Sequence, residues 1–168
     1  MRVDTETGTN PFWEFSLAIY ARPEVARTCL ALQEARGVDV NLLLWCCWRA
    51  RCGEALSPAD IAAADRSIDA WRRDVVLPLR GLRQGLRGYP AAESTRALIE
   101  RAELEAERVQ QRKMYENSAS GAGGEIALDR NLAAFAAFMQ LEETDLAAFR
   151  RAAEAGLAEL PGIGQAPA

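Results

Sequence analysis

Leu42-Leu43-Leu44-Trp45-Cys46-Cys47-Trp48 is a run with no polar side chain on any face. Asp39 and Asn41 stand before it; Arg49, Arg51, Cys52 and Gly53 follow. Asp39 suits the N-cap position, where a carboxylate accepts an amide of the first turn, and Val38 with Leu43 can staple the chain's approach. Arg49 and Arg51 fall in the last turn, where positive charge suits the helix dipole. A helix apolar all round is buried on all sides. This one is too short to cross a membrane, which takes about 20 apolar residues. The run therefore predicts an all-α, single-domain bundle of about six or seven helices packed around a buried central helix at 39–52.

The neighbouring stretches read as the helices that wall it in. Asn10-Pro11 is a helix start. After it Phe12, Phe15 and Ile19 form one stripe and Trp13, Leu17 and Tyr20 a second, leaving Glu14 and Ala18 for solvent. Pro23 opens a second helix that turns Val25, Cys29 and Leu32 inward, and Gly37 suits its left-handed end. Beyond a loop at 53–56, Ser57-Pro58-Ala59-Asp60 starts a long helix. Its apolar line Ile61, Ile68, Val75 and Leu82, widened by Ala64, Trp71, Leu79 and Leu86, predicts the core face. Pro78 predicts a kink or break near 75–77, because it removes a ladder bond and crowds the preceding turn. A fifth helix, about 92–116, has only the thin apolar line Leu98, Ile99, Ala102, Ala106 and Val109, which predicts a place outside the bundle or a partner-facing arm.

The chain divides into a disordered start at 1–9, a helical core at 10–117, a flexible linker at 118–127, an acidic helical pair at 128–160 and a tail at 161–168. From 118 to the end there are seven acids against three bases. Asp129 is the expected cap of the first helix there, and the second starts near Thr144. The pair is expected to dock on the arginine face of the long helix or to swap onto another subunit.

Composition narrows the function more by exclusion than by suggestion. At 168 residues and 49% hydrophobic content, one domain with a real core is expected. Twenty basic residues against 24 acidic ones leave a net charge of −4, which argues against general nucleic-acid binding. Histidine is absent, so the commonest general base and metal ligand is missing. No metal site, cofactor or catalytic residue is predicted. Cys29, Cys46, Cys47 and Cys52 lack C-x-x-C spacing and read as free thiols in a reducing compartment. Residues 1–9 lack the apolar segment of a signal peptide, which predicts a cytoplasmic protein.

Three stretches occur together in a specific order: Phe12-Trp13-Glu14-Phe15-Ser16-Leu17 with Tyr20, then Val38-Asp39-Val40-Asn41-Leu42-Leu43-Leu44-Trp45, then Trp71-Arg72-Arg73-Asp74-Val75-Val76-Leu77-Pro78-Leu79-Arg80. Over about residues 11–115 the chain thereby resembles a family of small proteobacterial proteins, common in pseudomonads, that is known as a domain of unknown function. The resemblance implies a bacterial protein and carries no activity, cofactor or catalytic residue.

Two candidate sites follow from helical spacing. Asn41, Trp45, Trp48 and Cys52 fall within about 40° of one line. Trp13, Tyr20, Asn41, Trp45, Trp48 and Trp71 are thus candidates to line an inter-helix pocket. Arg73, Arg80, Arg83 and Arg87 fall within about 80° and form a candidate patch for an anion or acidic partner. The leading expectation is a non-catalytic module that binds another protein or itself. The alternative is a binder of a small apolar or lipid-like ligand. An enzyme using Glu14, Asp39 or a Cys46 or Cys47 thiolate ranks third.

Overall fold

The first four helices begin at the capping residues and prolines that predict them. A computed structural model describes residues 10–117 and 127–161; the disordered start, most of the linker and most of the tail expected from sequence lie outside those residues. Helix α1 (Pro11–Tyr20) is capped by Asn10, whose Oδ1 accepts from the amides of Phe12 and Trp13 at 3.1 and 3.2 Å. Helix α2 (Pro23–Arg36) opens on its proline and closes on Gly37 at φ 65°. Helix α3 (Val40–Arg51) is the central helix, and Asp39 Oδ1 accepts from the Leu42 amide at 3.1 Å. Helix α4 (Pro58–Trp71) starts in a capping box between Ser57 and Asp60.

Helix α4 runs through a π-helical turn (Arg72–Val76) into α5 (Leu77–Gly85), and two short 3-10 turns lead to α6 (Glu93–Glu116). Helices α7 (Leu128–Met139) and α8 (Glu143–Ala158) complete the order. Counting α4, the π turn and α5 as one rod, the described residues form seven helices and no strand. Asp129 does not cap α7: it sits in the first turn, and Ala127 holds the cap position without a side-chain bond. Helix α8 begins instead with a capping box between Glu142 and Asp145.

The core is organised around α3 as its composition requires. Residues 41–47, Arg49 and Ala50 are buried, and Trp48 is half-buried. Helix α7 lies across α3 and α4 and seats the fully buried Phe135; α8 lies along α2 and seats Phe149. Gly156 lets α8 approach closely, since a Cβ there would meet Arg22 Cδ at 2.9 Å. Ala127 donates its amide to Ala50 O at 3.2 Å, and Arg51 reaches Pro161 O. The acidic pair therefore packs on the core of its own chain, and not on the arginine face, which belongs to α6.

The π turn has a large effect on which face of α5 points out. A π turn takes about one more residue than an α turn, and one residue advances the helix face by about 100°. Continuing the α4 apolar line through Leu82 assumed an unbroken 3.6-residue period. In the structure the line holds only in part: Leu79 and Leu86 are half-buried, but α5 buries no residue fully, Leu77 and Leu82 are 47% and 57% exposed, and Pro78, Gly81 and Gly85 are exposed beside them. The arginines turn the other way. Arg80 Nε donates to Glu103 Oε1 at 3.0 Å and its Nη2 to Glu107 Oε1 at 2.7 Å. Arg83 Nε donates to Glu103 Oε2 at 2.5 Å.

Helix α6 also differs from expectation. Leu98 and Ala102 are exposed, whereas Glu103, Ala106, Gln110, Gln111 and Met114 are buried. Ala106 of the expected apolar line is buried and Ile99 and Val109 are half-buried, but most of the buried residues are polar, so apolar periodicity finds only part of the inward face. Its polar groups are used: Gln110 Nε2 donates to Asp39 Oδ2 at 3.0 Å, and Gln111 Nε2 donates to Asn41 Oδ1 at 2.7 Å. Far from being an outside rod, the second half of α6 packs on α1, α3 and α4.

Candidate functional site

Of the six residues expected to share a pocket, Trp13, Tyr20 and Asn41 come together. They line a cleft of about 160 Å³ between α1, α2, α3 and α6. Leu17, Leu44 and Leu104 supply more apolar wall, and Ser16, Gln33, Glu107 and Gln111 supply polar groups. The second stripe of α1 is thus the wall of a hollow and is not fully buried: Leu17 is exposed and Trp13 and Tyr20 are half-buried.

The other three tryptophans serve elsewhere. Trp45 lies buried beside Arg49, whose guanidinium carbon is 5.5 Å from the ring centroid. Trp48 packs on Phe12 and Phe15, with ring centroids 6.4 and 5.4 Å away. Trp71 donates its indole N–H to Ala106 O at 2.9 Å and so pins α4 to α6. Ser16, Glu107 and Gln111 were not singled out from sequence. Leu104, Glu107 and Gln111 are spaced by three and four on α6, which puts them on one helical face, but two of the three are polar.

Burial pushes the Glu107 carboxyl above its usual range, against the opposing pull of Arg80. Burial also raises the Tyr20 hydroxyl. Burial would raise Glu103 as well, but the hydrogen bonds from Arg83 and Arg80 outweigh it and hold that carboxyl low. The cysteines follow their surroundings. Burial pushes Cys29 up to about 12 and Cys46 and Cys47 well above the thiol range, the opposite of what a thiolate nucleophile needs. Asp39 is occupied by the Leu42 amide, Gln110 and Arg72.

The four arginines of the expected anion patch do not act together. Arg80 and Arg83, with side chains 21% and 19% exposed, hold Glu103. Arg73 is exposed and paired with Asp69 and Asp74. Arg87 is exposed at the far end of the rod. Arg80 and Arg83 are answered by carboxylates of α6 and Arg73 by its own neighbours in the chain.

What α5 offers to solvent is therefore an uncharged face. At about 100° per residue, Leu77, Gly81, Gly85, Pro78 and Leu82 follow one another within about 140°. A Cβ built on Gly81 or Gly85 meets nothing within 4 Å. A glycine inside an exposed helix destabilises it by about 0.5–1 kcal/mol relative to alanine, and no close packing within the chain accounts for these two. Among the described residues no helix is long and apolar enough to cross a membrane.

Residues 11–114 match the family described as "Protein of unknown function (DUF2390)". No curated protein and no solved structure matches the chain.

Proposed function

The chain belongs to the DUF2390 family of unknown function, and from that premise we propose that it is a non-catalytic bacterial, cytoplasmic interaction module that associates with a second copy through the outward face of α5. The observation that carries this reading is the uncharged outer face of α5, with its arginines turned onto Glu103 and Glu107 and Leu77 and Leu82 left to solvent. An amphipathic helix normally turns its apolar stripe to the core. A stripe turned outward marks an interaction surface.

A second copy suits this face better than an unrelated partner, because the face complements itself. Leu77 and Leu82 are projections, and Gly81 and Gly85 are depressions on the same surface. Two such helices crossing antiparallel about Gly81 and Leu82 place each Leu82 over the other copy's Gly81. The face carries no charge that would repel its copy. Such a contact is isologous and closes as a dimer.

Sedimentation velocity on the full chain tests this. The wild type is expected to form a dimer at tens of micromolar, and Leu82→Arg to be monomeric with unchanged helical circular dichroism, since Leu82 is exposed in the single chain. A wild type that stays monomeric at 100 micromolar, or a Leu82→Arg variant that dimerises as well as the wild type, would contradict the proposal.

A further inference from the structure

The cleft between α1, α2, α3 and α6 is an apolar hollow that the chain holds open, and it points beyond self-association. The residues that line it differ in depth. Ser16, Asn41, Leu44 and Gln111 are buried and make the floor, whereas Leu17 and Leu104 stand at the mouth, 48% and 47% exposed. Trp13 and Tyr20 are half-buried. One exposed leucine is ordinary on a protein surface, but two of them with an indole around one concavity leave a patch of apolar wall in water. The floor explains why the walls do not close. Gln111 Nε2 donates to Asn41 Oδ1 at 2.7 Å, and both residues are buried. Separating a buried amide pair leaves its members without partners, so the bond fixes the spacing of α6 from α3. Ligand sites are commonly preformed concavities with such walls.

Size and charge restrict the occupant. The volume is about 160 Å³, room for about one benzene-sized molecule. Trp13, Leu17, Leu44 and Leu104 make the walls apolar. Ser16 Oγ and Gln111 Oε1 are closed off from solvent and offer an occupant no bond. No cationic side chain lines the cleft among the described residues, so an anion finds no partner there. The one lining carboxylate, Glu107, already holds Arg80 at 2.7 Å, so a cation would have to compete with a guanidinium for it. Removing apolar surface from water is then the main gain on binding, and a charged occupant would lose hydration without compensation. We propose that this cleft binds one small, neutral, apolar molecule of single-ring size, of the toluene class, held by the walls that Trp13, Leu17 and Leu104 provide.

The probe is toluene, titrated into the ¹⁵N-labelled full chain while the indole N–H resonances are followed, with Trp13 assigned through Trp13→Phe. Toluene is expected to shift the Trp13 signal saturably at millimolar concentration or below. Benzylamine and benzoate put a charge of either sign on the same ring, and each is expected to bind at least fivefold more weakly. N-acetylphenylalaninamide carries the ring on a peptide unit, and the same weakening is expected. Leu17→Gln with Leu104→Gln exchanges two exposed side chains, so helical circular dichroism should be unchanged while toluene binds at least fivefold more weakly. Repeating the toluene titration on Leu82→Arg separates this site from the α5 face, and the same affinity is expected there. No saturable shift up to the solubility limit of toluene, or a double variant that binds it as tightly as the wild type, would overturn the proposal. Benzylamine or benzoate binding as tightly as toluene would contradict a neutral occupant. Tighter binding of N-acetylphenylalaninamide would give the cleft to a partner protein's side chain and overturn the small-molecule reading.

Discussion

Replacing Asn131 by alanine is expected to destabilise the protein by about 4 kcal/mol. Asn131 is fully buried on α7, and its side chain makes three bonds to three backbone groups. Its Nδ2 donates to Cys46 O at 3.0 Å and to Glu54 O at 2.9 Å, and its Oδ1 accepts from the Leu56 amide at 2.7 Å. One side chain thus fastens α7 to the central helix and to the loop that carries the chain into α4. Alanine leaves three backbone groups without that partner, and a buried polar group left unpaired costs about 1–3 kcal/mol. Urea unfolding followed by circular dichroism measures the effect. A loss below about 1 kcal/mol would show that the loop takes its order from elsewhere.

The second large effect is expected at Glu103. Glu103→Ala should cost about 3 kcal/mol, because removing one member of a buried charge pair leaves its partners uncompensated. Here the partners are Arg80 and Arg83. The loss should concentrate on α5 and the neighbouring half of α6, since α5 packs chiefly on α6 and on the π turn. Hydrogen exchange of the α5 amides would show it, with little change in α3. The pH dependence has a definite sign. The Glu103 carboxyl is held below its ordinary value in the folded chain. Its contribution is therefore complete above the unfolded carboxylate pKa of about 4.3 and disappears as pH falls through the lower folded value. The wild type and the alanine variant should converge in stability as the solution is acidified. A constant gap down to the acid limit would mean that the carboxylate is not what holds α5.

Local signals carried much of the fold. The caps at Asn10, Asp39 and Ser57, the prolines at 11, 23 and 58, and Gly37 act within one turn, and each stands where expected. The apolar run of α3 had one compatible environment. Three features were not legible, each for a physical reason. The outward face of α5 depends on a π turn, and periodicity arguments assume a constant angle per residue. The inward face of α6 is built from Glu103, Gln110 and Gln111, whose partners Arg80, Asp39 and Asn41 lie far away in sequence. Asn131 looks like any polar residue in the first turn of a helix until the loop at 54–56 is placed over it.

The candidate cleft shows the same division. Trp13, Tyr20 and Asn41 were legible because bulky or unusual side chains at helical spacing attract notice. Ser16, Gln33, Glu107 and Gln111 were not, because their place at the cleft depends on how α1, α2 and α6 pack together, which no local spacing shows.

The account depends most on the claim that the outward face of α5 is shaped to receive another helix, and Gly81→Ala with Gly85→Ala tests it most directly. Both positions are helical and open in the single chain, so the two alanines together should stabilise the monomer by about 1–2 kcal/mol. Added methyl groups in the depressions of an interface should at the same time hold the copies apart. Sedimentation equilibrium of the double variant beside the wild type is expected to show dimer dissociation at least tenfold weaker in affinity, from a chain with a higher melting temperature. A double variant that is more stable and dimerises as tightly as before would show that α5 meets no second helix there.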